Sequence, residues 1–213
     1  MGREFIELFE DWANYYDATV SGQDVEYTEV FRGYEDILKD VANKAIGNVL
    51  EFGVGTGNLT QHLLNKHLPV YGIEPSPSMR EIAEEKLSNH VKVMDGDFLQ
   101  FPPIDEEVHS IVSSYAFHHL TDEEKEKAIE LYSNMLSKNG KIVFADTMFE
   151  DKNAYQVTIT HAEKNQFLNL AEDLKTEYYT TIPVLKQIVE KYGFSVQFTR
   201  FNHFVWVMEA TKN

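Results

Sequence analysis

The chain has 213 residues, 43% hydrophobic and 25% charged, with 19 basic and 35 acidic side chains and a formal charge of −16. That mix excludes disordered and fibrous classes, and a chain of this length buries roughly 70% of its unfolded surface in one domain. A pI near 4.8 argues against nucleic acid and anionic membranes as partners, because both are bound through cationic patches. Cysteine is absent, which removes disulfides, thiolate nucleophiles and cysteine-based metal centres and fits a reducing compartment. The N-terminal run Met1-Gly2-Arg3-Glu4-Phe5-Ile6-Glu7 lacks the apolar core of a signal peptide. Ile6 stands where a myristoylation signal needs Ser or Thr, and no apolar run approaches the ~18 residues of a membrane span. The expected setting is therefore the cytoplasm and the expected partner a small molecule.

In chain order, Phe5, Leu8, Phe9, Trp12 and Tyr16 recur at helical spacing, and a second helix is predicted over 27–44 through Val30, Phe31, Tyr34, Ile37, Leu38 and Val41. Short apolar segments then alternate with amphipathic ones. Strands are predicted at 48–52, 69–73, 91–94, 110–113 and 141–145. Helices are predicted through Leu59, Leu63 and Leu64, over 76–87, and after Thr121. Ser76 is a natural N-cap with Pro77 at the first helical position, and Thr121 with Glu124 forms a capping box. This βαβα rhythm calls for a doubly wound parallel sheet, with a ligand at the carboxyl ends of its central strands.

Residues 150–181 break the rhythm with a mostly helical insertion. A helix over 182–192 ends at Gly193, and alternating strands at 194–201 and 203–210 flank Asn202. Strands so close in sequence pair antiparallel, because a parallel return needs a long crossover. One domain is expected over 1–213, comprising cover helices at 1–46, a core at 47–149, a helical lid at 150–181, and a helix with the hairpin at 182–213.

The most informative stretch is Val49-Leu50-Glu51-Phe52-Gly53-Val54-Gly55-Thr56-Gly57-Asn58. Alternating glycines after an apolar strand let backbone amides approach a ligand that a Cβ would block. A dinucleotide fingerprint needs a glycine at the sixth position, where Asn58 stands, and Glu51 would repel a pyrophosphate. An anion there suits a cationic ligand with an ammonium or sulfonium group. Glu74 follows the second strand, where a carboxylate can accept both ribose hydroxyls. Asp97 follows the third, where it can accept an adenine amino group, with Phe98 against the ring.

The runs Glu51-Phe52-Gly53-Val54-Gly55-Thr56-Gly57, Ile73-Glu74 and Gly96-Asp97-Phe98 resemble the class I S-adenosylmethionine-dependent methyltransferases. So do Ser113-Ser114-Tyr115-Ala116-Phe117-His118-His119-Leu120 and the N-terminal Phe9-Glu10-Asp11-Trp12-Ala13-Asn14-Tyr15-Tyr16-Asp17. More narrowly, the combination is similar to the YrrT-like methyltransferases. The resemblance implies a seven-stranded, mostly parallel Rossmann-like sheet ending in an antiparallel hairpin. It also implies S-adenosyl-L-methionine as cofactor and contacts at Gly53, Glu74 and Asp97; the residues themselves add Glu51, Gly55, Phe98 and Tyr16 to the cofactor-binding set.

Methyl transfer from a sulfonium is an in-line displacement in which the cofactor supplies the reactivity, so neither a covalent intermediate nor a metal is required. A cover-helix tyrosine, Tyr15 or Tyr16, would close over the cofactor and attract the sulfonium, for about 0.5–2 kcal/mol. His118 and His119 are general-base candidates at the mouth of the cleft. No metal is expected there, because adjacent histidines lack a spaced carboxylate in the sequence. His161 and the apolar side chains of the insertion are candidates for the acceptor pocket. No Asn-Pro-Pro-Tyr segment follows the fourth strand, and nothing selects oxygen, nitrogen, sulfur or carbon as the attacking atom. Two rival readings stay open at this stage: a nicotinamide-dependent oxidoreductase and a non-catalytic adenosyl-ligand-binding module.

Overall fold

A computed structural model of the chain describes residues 15–88 and 91–213. The helical stripe from Phe5 to Trp12 therefore lies outside the described residues. Seven strands form one sheet: β1 (Val49–Phe52), β2 (Val70–Ile73), β3 (Val93–Met94), β4 (Ser110–Ser114), β5 (Lys141–Phe149), β7 (Phe194–Arg200) and β8 (Val205–Lys212), in spatial order β3-β2-β1-β4-β5-β8-β7. The short β6 (Thr180–Thr181) pairs parallel with Met148 and Phe149 at the far end of β5. Strands β1 to β5 pair in parallel, and β8 runs antiparallel to both β5 and β7. Strand order reverses between β1 and β4, the crevice where a doubly wound sheet holds its ligand.

Helices cover both faces. Leu50, Phe52, Ile111, Ile142 and Phe144 point to one side, packing on α4 (Asp122–Met135) and α7 (Ile182–Lys191). Val49, Val112, Val143 and Ala145 point to the other. That face meets α1 (Tyr34–Lys44), α2 (Asn58–Asn65), α5 (Lys152–Lys164) and α6 (Leu168–Thr176). Burial on both faces explains why these strands read as continuous apolar runs. Helix α3 (Pro77–Lys86) closes the edge through Ala83, packed against Val54 and Val93. Ser76 caps α3 by accepting the Met79 amide, and the Thr121–Glu124 capping box opens α4, both as expected.

Several boundaries differ from the sequence expectation. The second helix begins at Tyr34, not at residue 27, because Gly33 takes a left-handed φ of +81° and residues 27–33 are turns. Strand β5 runs on to Phe149 rather than ending at Ala145, since β8 and then β6 supply partners along its length. The hairpin strands stop at Arg200 and restart at Val205. Asn202 sets this turn: its carbonyl accepts the amides of Phe204 and Val205, while its amide donates to the carbonyls of Val30 and Arg32.

Candidate active site

The Gly53–Gly57 turn carries the chain from β1 into α2. Gly53 has a φ of +67°, and a Cβ there would come within 2.7 Å of Ala116 Cβ. Gly55 also has a positive φ (+56°) but faces open space, so a side chain there would project into the cleft instead. That cleft is lined by Gly53, Gly55, Glu74, Asp97, Phe98 and Tyr16 among others. The glycine turn, two carboxylates, an aromatic and the covering tyrosine singled out from the sequence thus converge on one hollow.

Glu74 is 5% exposed, and its carboxylate accepts two backbone amides, Oε2 from Gly55 and Oε1 from Ser76, each at 2.9 Å. Burial raises its pKa against the pull of those amides. The side chain therefore ties the ends of β1 and β2 together while keeping acceptor capacity toward the cleft. Asp97 Oδ1 accepts the amides of Leu99 and Gln100, forming a tight turn. Phe98 is anchored in the core against Phe52 and Phe117, with both ring centroids at 5.3 Å.

Glu51 departs from expectation. It lies on the central strand, 1% exposed, beneath the turn and outside the cleft lining. Its Oε2 accepts the Thr60 hydroxyl at 2.7 Å, its Oε1 is buried without a hydrogen-bond partner among the described residues, and burial pushes the carboxyl up to about 8. Burial thus favours the neutral acid at this position over an anion in the cleft wall.

Tyr16 covers the cleft, whereas Tyr15 is 67% exposed and turned away. The next residue fastens this cover: Asp17 accepts Thr56 Oγ1 at 2.7 Å, Asn58 Nδ2 at 3.0 Å and Lys86 Nζ at 2.6 Å. Partial burial works the other way, yet these bonds hold the Asp17 carboxyl below the usual range. The covering segment is thereby latched directly onto the glycine turn.

Beyond Tyr16, Tyr115 and His119 lies a second chamber, lined also by Asp173, Glu177 and Tyr179 of the insertion. Tyr16, Tyr115 and His119 line both hollows. Tyr115 adopts a left-handed φ of +53°, and its buried hydroxyl has no hydrogen-bond partner among the described residues. Such strain costs about 1–3 kcal/mol and collects at functional positions.

His118 and His119 form a single 3-10 turn after β4. Nδ1 of His118 lies 2.6 Å from Asp146 Oδ1, and Nε2 lies 3.3 Å from Glu177 Oε2. Burial alone would lower the His118 pKa, but the Asp146 and Glu177 carboxylates outweigh it and raise it. His119 goes the other way: burial, with His118 and Lys125 adding to it, drives its pKa well down, so its imidazole is neutral at pH 7. Lys125 is 1% exposed and donates to the carbonyls of Leu120 and Tyr178; burial pushes its amine down to about 8.

The sequence over residues 49–140 matches the methyltransferase-domain family model. An uncharacterized methyltransferase of Bacillus cytotoxicus is 59% identical over 212 residues, spanning 100% of both chains. The chain belongs to the methyltransferase family. A second methyltransferase, from Bacillus mycoides, matches to the same extent. Among solved structures, magnesium protoporphyrin IX methyltransferase from Synechocystis superposes with a TM-score of 0.69 at 16% identity, covering 97% of this chain and 99% of that one. A possible histamine N-methyltransferase from Thermotoga maritima gives 0.68 at 20% identity, covering 98% and 99%. The fold is that of the S-adenosylmethionine-dependent methyltransferases, as the sequence motifs imply, and membership of the methyltransferase family replaces the nicotinamide reading.

The candidate site also includes residues that sequence reasoning missed. Asp146 lies within β5, past the predicted end of that strand, and Glu177 lies in the insertion. Asp17 and Lys86 carry ordinary surface residue types. His161 does not reach the chamber; it lies in a separate groove with Arg200 and Trp206.

Proposed function

We propose that the chain binds S-adenosyl-L-methionine in the glycine-turn cleft and methylates a small-molecule acceptor held in the adjoining chamber. In this reading Glu74 accepts the ribose hydroxyls, Asp97 accepts the adenine amino group, and Gly55 leaves room for the backbone to approach the amino-acid end. The cofactor supplies a methyl group already activated by its sulfonium. What the chain adds is alignment and exclusion of water, which in favourable cases together are worth about 7–11 kcal/mol. The acceptor would rest against Tyr115 and Tyr179, beside the His118–His119–Glu177 cluster, and the proton it loses would leave through the chamber to solvent.

The observation that carries this reading is that cleft and chamber share Tyr16, Tyr115 and His119 as a common boundary. A donor in one hollow and an acceptor in the other would meet there. The insertion and the segment over 16–31 wall the chamber from two sides, which favours a metabolite over a macromolecule. The charge of −16 points the same way, away from nucleic acid.

The test is incubation with methyl-labelled S-adenosylmethionine and a panel of small hydroxyl, thiol and amine metabolites, followed by product chromatography. The expected result is label in one class of small product, lost in Glu74→Ala. Cofactor binding without turnover on any class would favour a non-catalytic binding module, and label in RNA or protein would overturn the acceptor assignment.

A further inference from the structure

Two imidazoles and a carboxylate from distant parts of the chain meet where the cleft joins the chamber. His118 and His119 come from the turn after β4 and Glu177 from the insertion, and one donor atom of each lies within 4.8 Å of the others. Nε2 of His118 is 3.3 Å from Glu177 Oε2, and Nδ1 of His119 is 3.9 Å from Glu177 Oε1. Donors placed tetrahedrally at about 2.0–2.2 Å from one small cation stand roughly 3.3–3.6 Å apart. The three groups are therefore within a small side-chain adjustment of a coordination shell.

The groups behind them have the form of a metal site's supporting layer. Asp146 engages Nδ1 of His118, which fixes the tautomer that leaves Nε2 as the ligating atom. Tyr179 donates to Glu177 Oε2 at 2.6 Å, and its ring stacks on His118 with centroids 4.9 Å apart. Asp173 adds a further carboxylate beside Glu177 in the chamber wall, where it accepts the Tyr27 hydroxyl. Lys125, the nearby buried amine, donates to the carbonyls of Leu120 and Tyr178. A divalent ion would balance acids that are otherwise desolvated together.

We infer that His118 Nε2, His119 Nδ1 and Glu177 bind a divalent transition-metal ion of the zinc class, with its open coordination position facing the chamber. Mixed nitrogen and oxygen donors suit Zn2+, Co2+ or Ni2+ better than the all-oxygen preference of Mg2+ or Ca2+. Three protein ligands leave a fourth place, the pattern of sites that take a substrate atom rather than of closed structural ones. The ion's role rests on the methyl-transfer reading. An acceptor hydroxyl or thiol would bind it as the anion and release its proton to solvent. That oxygen or sulfur would then form the bond to the methyl carbon as the carbon–sulfonium bond breaks, and the neutral thioether would leave.

The test is calorimetric titration of chelator-stripped protein with Co2+ and with Zn2+, followed by visible absorption of the Co2+ form. No methyl donor is present, so the outcome is independent of whether an acceptor has been found. The expected result is one saturable ion per chain. Affinity should fall at least 100-fold in Glu177→Gln and in His119→Ala, and about 10–100-fold in Asp146→Asn. It should be unchanged in His161→Ala, whose imidazole lies in the separate groove. Circular dichroism reports whether each variant folds, and the wild-type titration stands without them. Absence of saturable binding by wild type overturns the inference. So does binding that Glu177→Gln retains in full and His161→Ala loses.

Discussion

Glu74 offers a quantitative test of how the cleft holds its ligand. Its two oxygens each accept a backbone amide at 2.9 Å, and each keeps a further lone pair on a residue that lines the cleft. Hydrogen bonds to a charged acceptor are worth about 1.5–3 kcal/mol each. Glu74→Gln keeps one acceptor oxygen and should lose roughly one such bond to ribose, a 10- to 150-fold weaker Kd for S-adenosylhomocysteine. Glu74→Ala loses both ribose bonds and also releases the Gly55 and Ser76 amides, so its loss should be larger, on the order of 1,000-fold. Isothermal titration calorimetry measures the series, with melting curves to confirm folding. A 2′-deoxyribose analogue closes a double-mutant cycle, because its penalty in wild type should largely vanish in Glu74→Ala, which makes neither ribose bond. Affinities within threefold of wild type in both variants would refute the assignment of Glu74 to the ribose.

Other expectations follow from the same geometry. The native Glu51 carboxyl titrates near 8, above its unfolded value, so the folded state holds a proton that the unfolded state gives up. Stability should therefore fall as pH rises from about 4.5 to 8; Glu51→Gln should flatten that decline in urea unfolding, and an unchanged slope would count against a buried neutral acid. Asn202→Ala strips four hydrogen bonds from a residue 4% exposed. It should cost about 2–4 kcal/mol by denaturant titration, and a loss below about 0.5 kcal/mol would contradict its role in the turn. Asp17→Ala removes the latch on the Tyr16 cover and should speed S-adenosylhomocysteine dissociation about 5- to 30-fold in stopped-flow; an unchanged off-rate would mean the cover is held elsewhere.

Much of the fold was legible because strands buried on both faces announce themselves as apolar runs, and because Ser76 and Thr121 place caps unambiguously. Boundaries failed where tertiary pairing or one backbone angle decided them, as at Gly33 and at the end of β5. In the cleft, Gly53, Gly55, Glu74, Asp97 and Phe98 were readable since strand ends on one edge of a parallel sheet must converge. Glu51 was misplaced because strand alternation alone does not reveal whether a carboxylate at a strand end surfaces or lies under the following turn. The Asp146–His118–Glu177 arrangement was invisible for a simpler reason: its members stand 28 and 59 residues apart, and only the insertion folding over β5 brings Glu177 within 3.3 Å of His118.

The decisive measurement is a crystal structure of the protein soaked with S-adenosylhomocysteine. The ribose should lie against Glu74, the adenine against Asp97 and Phe98, and the sulfur should point across Tyr115 into the chamber bounded by His118 and Tyr179. Ligand density anywhere else, or a thioether facing away from that chamber, would contradict the assignment of donor and acceptor to these two hollows.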